Sequence, residues 1–222
     1  MTIQVGFIVF PKVQQLDLTG PYEVFSEATS CDVHLVWKNL EPVRSTTGLD
    51  FTPTKTFVDC PALDLLCIPG GSGVNALMQD AEVLDFVRSR AASSRYVASV
   101  CTGALVLGAA GVLKGRRATT HWASHDFLEP LGAIPERARI VRDGNLFTGG
   151  GVTAGIDLGL TVLAEIAGRA EAEIIQLALE YAPEPPFAAG TPDTAAPAAV
   201  DAVVNERFAA TLRARKAIVA AL

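Results

Sequence analysis

The sequence predicts an α/β fold in which a mostly parallel β-sheet carries helices on both faces. Short runs of consecutive apolar residues, typical of strands buried on both faces, alternate with segments that have helical spacing. Half of the 222 residues are apolar, which is enough to form a large core. Right-handed crossovers between parallel strands place the helices on both faces. We expect a single domain over residues 1–222, with a C-terminal extension over about residues 182–222.

The first half of the chain contains the pattern of three buried strands. Residues 3–10, IQVGFIVF, are almost wholly apolar and are ended by Pro11, which predicts the first strand. Asp17 then begins a helical segment that tolerates Pro21 in its first turn. The other predicted elements are strands over residues 31–37 and 64–69 and a small hairpin over residues 43–58 around Gly48.

The second half continues the alternation of strands and helices. Its predicted elements are a helix over residues 80–92, a strand over 96–100, a helix over 102–110, two strands joined by an Asp-Gly turn over 141–147 and a helix over 154–167. Residues 182–199 are rich in proline and alanine and lack periodicity, so we expect an extended segment there. A last amphipathic helix is predicted over about residues 199–221.

Charge and cysteine usage narrow the class of protein. A net charge of −6 argues against a nucleic acid or an anionic membrane as partner, because those surfaces require clustered Lys and Arg. The start MTIQ lacks the basic character of a signal peptide, and the longest apolar window is too short to span a bilayer. The four cysteines form no C-x-x-C pair and are expected to be free thiols. We therefore expect a cytoplasmic protein.

The stretch SVCTGALV, residues 99–106, joins a predicted buried strand to a predicted helix, with Cys101 at the junction. A bend of this kind pushes the junction side chain into a cleft, as in nucleophile elbows, and Gly103 removes a side chain that would crowd it. Unpaired N–H groups at the start of the helix favour a thiolate. The alternative is a cysteine packed in the core, and the local pattern alone leaves both open.

Two further features are expected at the carboxyl edge of the sheet, where ligands bind in folds of this class. The loop Gly70-Gly71-Ser72-Gly73 follows a strand, and its backbone N–H groups can stabilise negative charge next to the sulfur. Asp17 follows the first strand, so its carboxyl is expected at the same edge. The sequence therefore favours a pocket formed by two helix starts and one loop.

The histidines and the basic residues near the end of the chain suggest no second site. His121 and His125 have the i, i+4 spacing of zinc helices but no third ligand in a recognisable motif, so we expect no metal. His121 is expected to fix local structure. The last helix carries basic residues that we expect on a solvated or dimer-contacting face: Arg207, Arg213, Arg215 and Lys216.

Several motifs resemble those of the DJ-1/PfpI superfamily over about residues 3–181: PGG at 69–71, SVCTG at 99–103, ATTHW at 118–122 and DGNLFTGGGVTAGID at 143–157. The early FPKVQQLDLTGPYEVF and the late EYAPEPPFAAGTPDTA are most similar to bacterial isocyanide hydratases. The resemblance implies a flavodoxin-like α/β sandwich of the class I glutamine amidotransferase-like type, a homodimer and no cofactor. The implied reaction adds water to an isocyanide to give an N-formamide.

By position, the resemblance makes Cys101 the nucleophile, Asp17 its acid/base partner and Thr102 a hydrogen-bonding neighbour that holds the carboxyl. Thr102 stands where PfpI-type peptidases carry histidine, which argues against peptidase activity. Contacts with the substrate or a developing oxyanion are assigned to Gly71, Ser72 and Gly150.

The expected mechanism is attack of the Cys101 thiolate on the isocyanide carbon, with a proton delivered near Asp17 and a covalent thioimidate as the product. Because an ionised Asp17 beside a thiolate is a like-charge pair, the two groups are expected to share one proton. Two other classes remain open. One is a redox sensor or chaperone-like protein in which Cys101 is oxidised. The other is a ligand-sensing domain of a regulator, which the lack of a helix-turn-helix pattern disfavours.

Overall fold

The structure, a computed structural model, describes residues 2–222, which contain eleven strands, seven of them in one sheet and the others in two small two-stranded sheets. The strands are β1 (Ile3–Ile8), β2 (Cys31–Trp37), β3 (Val43–Arg44), β4 (Asp50–Phe51), β5 (Lys55–Thr56), β6 (Leu65–Ile68), β7 (Tyr96–Val100), β8 (Arg117–Ala118), β9 (Ile134–Pro135), β10 (Ile140–Asp143) and β11 (Leu146–Gly149). The order in the seven-stranded sheet is β10-β11-β7-β6-β1-β2-β5, and each neighbouring pair is parallel except β10–β11. The two small sheets are β3-β4 and β8-β9. The predicted mostly parallel sheet is confirmed.

The described residues form eight α-helices. They are α1 (Gln15–Glu27), α2 (Val74–Leu77), α3 (Ala81–Ser93), α4 (Gly103–Ala109), α5 (Ala154–Ala167), α6 (Arg169–Ala178), α7 (Pro197–Ala202) and α8 (Ala209–Val219). Of these, α1 to α4 lie between strands and α5 to α8 follow the last strand. A 3-10 helix spans Trp122–Phe127, and a π-helical turn over Val203–Arg207 links α7 to α8. None of the helices within residues 2–222 combines the length and the apolar character needed to cross a bilayer.

The central strands are covered on both faces. Successive strand residues point to opposite faces of a sheet, and every residue of β6 and β7 is buried. α1 packs against α5, while α4 packs against α2 and α3, so two groups of helices enclose the sheet. The predicted α/β arrangement with helices on both faces is therefore confirmed.

The contact between α1 and α5 explains a proline that the sequence analysis misplaced. Because α1 begins at Gln15, Pro21 lies inside the helix rather than in its first turn. Its ring fits against glycines of α5: a Cβ built on Gly155 would lie 3.0 Å from Pro21 Cδ, and one on Gly159 would lie 3.2 Å from Pro21 Cα. Close packing against α5 offsets the hydrogen bond that proline cannot donate within α1.

The C-terminal region differs from the single helix that was predicted over residues 199–221. Two helices, α7 and α8, are separated by the π-helical turn Val203–Arg207. Its sequence, VVNER, contains β-branched residues and an asparagine, which are weak helix formers. α6 has no counterpart among the predicted elements, and Gly168, with a φ of 100°, separates it from α5.

Parallel strands bring the chemically distinctive segments of the sequence to one edge of the sheet. β1 is followed by α1 with Asp17, β6 by the glycine loop, and β7 by Cys101. β11 lies next to β7 in the sheet and is followed by Gly150. The carboxyl ends of these neighbouring strands therefore define the place where a site can form.

Candidate active site

Cys101 occupies a strained bend between β7 and α4. Its φ of 55° is in the left-handed region, which is uncommon for residues other than glycine. The bend is held by the Cys101 N–H, which donates to the Gly149 carbonyl at 3.0 Å, and by the Cys101 carbonyl, which accepts from Thr120 Oγ1 at 2.7 Å. A Cβ at Gly103 would lie 2.0 Å from the Ile68 carbonyl oxygen, so glycine is required there. This is the elbow geometry predicted from the sequence.

The elbow points Cys101 into a cavity of about 390 Å³. The lining residues come from the first helix region, the hairpin, the glycine loop, the elbow, the 3-10 helix and the C-terminal helix: Gln14, Thr46, Thr47, Gly71, Ser72, Cys101, Thr102, His121, Ser124, Val152, Arg207, Phe208, Thr211, Leu212 and Arg215. Cys101 is 6% exposed, so the surrounding protein shields its side chain from bulk solvent.

The Asp17 carboxyl lies beside the Cys101 thiol and is fully buried. Its Oδ2 accepts a hydrogen bond of 2.9 Å from the Gly70 N–H. The other oxygen, Oδ1, receives no hydrogen bond of standard geometry from any group in residues 2–222. The Cys101 thiol is nevertheless close enough to influence the pKa of the carboxyl. Burial raises the pKa of Asp17 to about 7, while the hydrogen bonds from Gly70 and Cys101 act in the opposite direction.

The Cys101 thiol is more basic than we expected from the sequence. Burial, and then the charge of Asp17, raise the pKa of Cys101 well above its ordinary value. The Thr102 N–H and the Arg215 guanidinium lower the same pKa by a smaller amount. At neutral pH the resting sulfur is therefore a thiol next to a carboxyl that is partly ionised. The raised pKa values of both groups agree with the expectation that the pair shares one proton.

Gly70, rather than Thr102, holds the Asp17 carboxyl. Thr102 Oγ1 accepts from the Gly71 N–H at 3.1 Å and lies 3.4 Å from the Gly71 carbonyl, so the hydroxyl ties the elbow to the glycine loop. A Cβ at Gly70 would lie 2.7 Å from Asp17 Oδ2 and 2.7 Å from Thr102 Oγ1. The expectation that the Thr102 hydroxyl holds the carboxyl is wrong, because its hydrogen bonds go to Gly71.

Two of the three backbone groups assigned to the oxyanion already have acceptors. The Gly71 N–H donates to Thr102 Oγ1, and the Gly150 N–H donates to the Arg139 carbonyl at 2.9 Å. The Ser72 N–H has no acceptor among the groups of residues 2–222, and Ser72 lines the cavity. Of these three residues, Ser72 is therefore the one whose backbone N–H is available to donate a hydrogen bond to a ligand.

The C-terminal helix forms one wall of the cavity, which the sequence analysis missed. Arg215 was expected on a solvated or dimer-contacting face, but its side chain is buried at 3% exposure. The signal that could have revealed this wall is spacing: residues at intervals of three and four share one helix face. The residues with that spacing that line the cavity are Phe208, Thr211, Leu212 and Arg215.

His121 lies in the cavity wall as a neutral side chain. Its Nδ1 accepts from the Ala123 N–H at 3.3 Å, and its ring meets Phe208 edge to face with 5.5 Å between centroids. Burial, together with the charge of Arg215, lowers the pKa of His121 to about 4. His125 is engaged with the Glu136 carbonyl at 3.2 Å. Residues 2–222 contain no cluster of three or more His, Cys, Asp or Glu side chains placed to hold a metal ion.

The chain was compared with family models, characterised proteins and solved structures, and the matches agree with this fold. The model of the DJ-1/PfpI family matches residues 3–165. An isonitrile hydratase of Pseudomonas putida is 61% identical over 218 residues, which are 98% of this chain and 95% of that protein. The crystal structure of a ThiJ/PfpI family protein from Pseudomonas syringae is 44% identical, with a TM-score of 0.94, and covers 99% of this chain and 91% of its own.

A more distant structure shares the fold alone. The crystal structure of Drosophila melanogaster DJ-1beta is 22% identical and superposes with a TM-score of 0.73. The match covers 82% of this chain and 100% of that one.

Proposed function

The chain belongs to the DJ-1/PfpI family, and we propose that it is an isonitrile hydratase, which adds water to an isocyanide to give an N-substituted formamide. The observation that carries the proposal is the buried pair at the carboxyl edge of the sheet. The Cys101 thiol lines the cavity, and the Asp17 carboxyl lies beside it with a pKa of about 7. The identity to the Pseudomonas putida enzyme over nearly the whole chain supports the same reaction.

The first step forms a bond between the Cys101 sulfur and the terminal carbon of the isocyanide. The ionised Asp17 carboxyl accepts the thiol proton as the sulfur attacks, and the same proton then passes to the isocyanide carbon. The product is a thioimidate, R–N=CH–S–Cys101, which contains all atoms of the thiol and the isocyanide. Because one proton serves both purposes, the raised pKa values of the pair suit the reaction better than a permanent thiolate would.

The second step consumes water and regenerates the enzyme. Asp17 accepts a proton from the attacking water, whose oxygen bonds to the thioimidate carbon, while the nitrogen gains a proton. The tetrahedral adduct R–NH–CH(OH)–S–Cys101 then breaks its carbon–sulfur bond, releasing R–NH–CHO and returning the sulfur to its thiol form. We assign to the backbone N–H of Ser72, a residue of the cavity wall, the stabilisation of negative charge that develops on oxygen during this step. No cofactor is needed for any of these proton transfers.

The proposal predicts that the purified protein converts an alkyl isocyanide into the corresponding N-alkylformamide. The reaction is followed by proton NMR, in which the formyl hydrogen gives a separate signal, and it is repeated in water enriched with oxygen-18. We expect the label in the formamide oxygen, because that oxygen comes from water. An absence of enzyme-dependent formamide with several alkyl and aryl isocyanides would contradict the assigned activity.

The alternative of a redox sensor has less support from the site. The reactive form toward peroxide is the thiolate, and oxidation-sensitive cysteines have low pKa values and access to solvent. Cys101 has the opposite properties, since burial raises its pKa and its residue is 6% exposed.

All four cysteines are free thiols, as is usual in the reducing cytoplasm, and we propose that the enzyme acts there.

We also propose that the enzyme is a homodimer. α6 exposes Ile174 and Leu177 at 61% and 81%, and Phe187 nearby in the chain is 79% exposed. Apolar side chains grouped on a surface are typical of association sites. Sedimentation velocity should give a species of twice the chain mass, and Leu177→Glu should shift it toward the monomer. A monomeric wild-type protein at micromolar concentration would contradict the proposal.

The region over residues 182–222 is proposed to be an extension of a single domain that closes the cavity. α8 packs against α2 and the 3-10 helix Trp122–Phe127, so it is attached to the rest of the molecule beside the glycine loop. Asn75 Nδ2 donates to the Thr211 carbonyl at 3.1 Å and strengthens this attachment. The extension thereby supplies one wall of the cavity.

A further inference from the structure

The charged side chains that line the cavity around Cys101 are basic, in a protein whose net charge is −6, and the nearby Asp17 carboxyl lies behind the sulfur without lining the cavity. Two arginines, Arg207 and Arg215, line it, whereas no Asp or Glu within residues 2–222 does so. Such a local reversal of sign attracts anions and raises their concentration at the site. The charge of the cavity is therefore a feature that any account of its substrate must explain.

Arg215 is a buried cation held by neutral groups. Its Nε donates to Asn75 Oδ1 at 2.9 Å, and its Nη1 donates to Ser124 Oγ at 2.6 Å. No carboxylate of residues 2–222 forms an ion pair with it, although the residue is only 3% exposed. Burial lowers the pKa of Arg215 to about 10, so the guanidinium stays charged at neutral pH. Buried charges are normally paired, and this one lacks an anion.

Arg207 carries the second positive charge at the end of the π-helical turn. It is exposed, lines the cavity and forms no side-chain hydrogen bond or ion pair with other groups of residues 2–222. The Arg207 side chain therefore retains its conformational freedom until a ligand binds it. The lining also includes the apolar side chains of Val152, Phe208 and Leu212.

We propose that the substrates of this enzyme are isocyanides whose substituent ends in a carboxylate, and that Arg207 and Arg215 bind this group. The inference rests on the proposed hydratase activity and names the substrate class of the same site. The isocyanide carbon faces Cys101, an apolar stem contacts Val152 and Leu212, and the carboxylate reaches the guanidinium groups. Arginine suits this role because its planar donors match the two oxygens of a carboxylate.

A competing explanation for Arg215 is that it serves the sulfur alone. Its positive charge favours the ionised form of Cys101, so removing it could slow the reaction of every isocyanide equally. The two explanations differ in what they say about Arg207, which lines the same cavity but is not among the groups that shift the pKa of Cys101. Comparison of a charged substrate with a neutral one of the same shape separates them.

The test uses a short homologous series of ω-isocyanoalkanoates and the matching primary amides, which have nearly the same shape and no charge. For the full-length wild-type protein we expect kcat/KM to favour the best carboxylate over its amide by at least about tenfold. Arg207→Gln and Arg215→Gln should lower this ratio by several fold. Arg213→Gln is the matched control, because Arg213 is exposed on α8 and lies outside the cavity.

A wild-type ratio of one or less at every chain length would overturn the inference, and so would a ratio that both cavity variants leave unchanged. Both results keep the proposed activity, since the amides are still hydrated. Failure of the enzyme to hydrate any isocyanide, charged or neutral, would instead overturn the proposed function itself. If Arg215→Gln fails to fold, Arg207→Gln decides the result, because its exposed side chain has no structural partner in residues 2–222.

Discussion

Replacing Cys101 by alanine is expected to lower kcat/KM for an alkyl isocyanide by about 10⁴-fold or more. The sulfur forms the bond that defines the first step, and no other side chain in the cavity is a comparable nucleophile. The measurement is formamide production under conditions in which the wild-type rate is well resolved. The side chain lost is small and the elbow glycines are unchanged, so the fold should be retained.

Cys31→Ala is the matched control for the loss of a thiol. Cys31 is half-buried at the start of β2 and does not line the cavity. We expect its kcat/KM to stay within about twofold of the wild-type value, in line with a substitution outside the site. If Cys101→Ala kept more than a few per cent of wild-type activity, the covalent mechanism would be wrong.

Asp17→Asn is expected to reduce kcat by about 10²–10⁴-fold and to remove the acidic limb of the pH profile. Wild-type kcat/KM should rise with pH through about 7, because only the ionised carboxyl can accept the proton of the Cys101 thiol. Below that pH the carboxyl is protonated and the thiol has no base. The variant has no carboxyl to titrate, so its residual activity should not show this limb. A wild-type profile without a limb near pH 7 would contradict the role of Asp17.

Thermal unfolding separates this catalytic role from a structural one. Burial raises the pKa of Asp17 from 3.8 to about 7, so between these values the folded protein holds a proton that the unfolded chain has lost. Stability therefore falls as pH rises toward 7, and the ionised carboxyl costs on the order of 4 kcal/mol above it. Asparagine avoids this cost and can still accept from the Gly70 N–H. Asp17→Asn should melt roughly 8–16 °C above wild type at pH 8, and the gap should shrink toward pH 4.

The fold was predictable because its strands are buried on both faces. Runs such as residues 3–10 and 96–100 are apolar without alternation, which only a covered parallel sheet explains. The elbow was predictable because Gly103 must avoid the Ile68 carbonyl, and that requirement is visible as a glycine two residues after the cysteine. Asp17 was placed at the right edge by the same alternation of strands and helices.

The electrostatics and the C-terminal wall were not predictable in this way. The resting state of Cys101 depends on how far burial outweighs the helix start, and only the three-dimensional structure gives that balance. The sequence did not indicate which group forms a hydrogen bond with the Thr102 hydroxyl. Its partner is Gly71 because the geometry of the glycine loop places the Gly71 N–H beside it. Arg215 reaches the cavity from a helix more than one hundred residues from the elbow in sequence, across a proline-rich segment without periodicity.

The most direct measurement is mass spectrometry of the enzyme quenched with acid during a single turnover of an alkyl isocyanide. We expect a transient increase equal to the mass of one isocyanide, located on the peptide that contains Cys101. It should form and decay at least as fast as the formamide appears, and it should be absent from Cys101→Ala. Formamide production by wild-type enzyme with no adduct on Cys101 at any quench time, or with the adduct on another cysteine, would contradict this expectation.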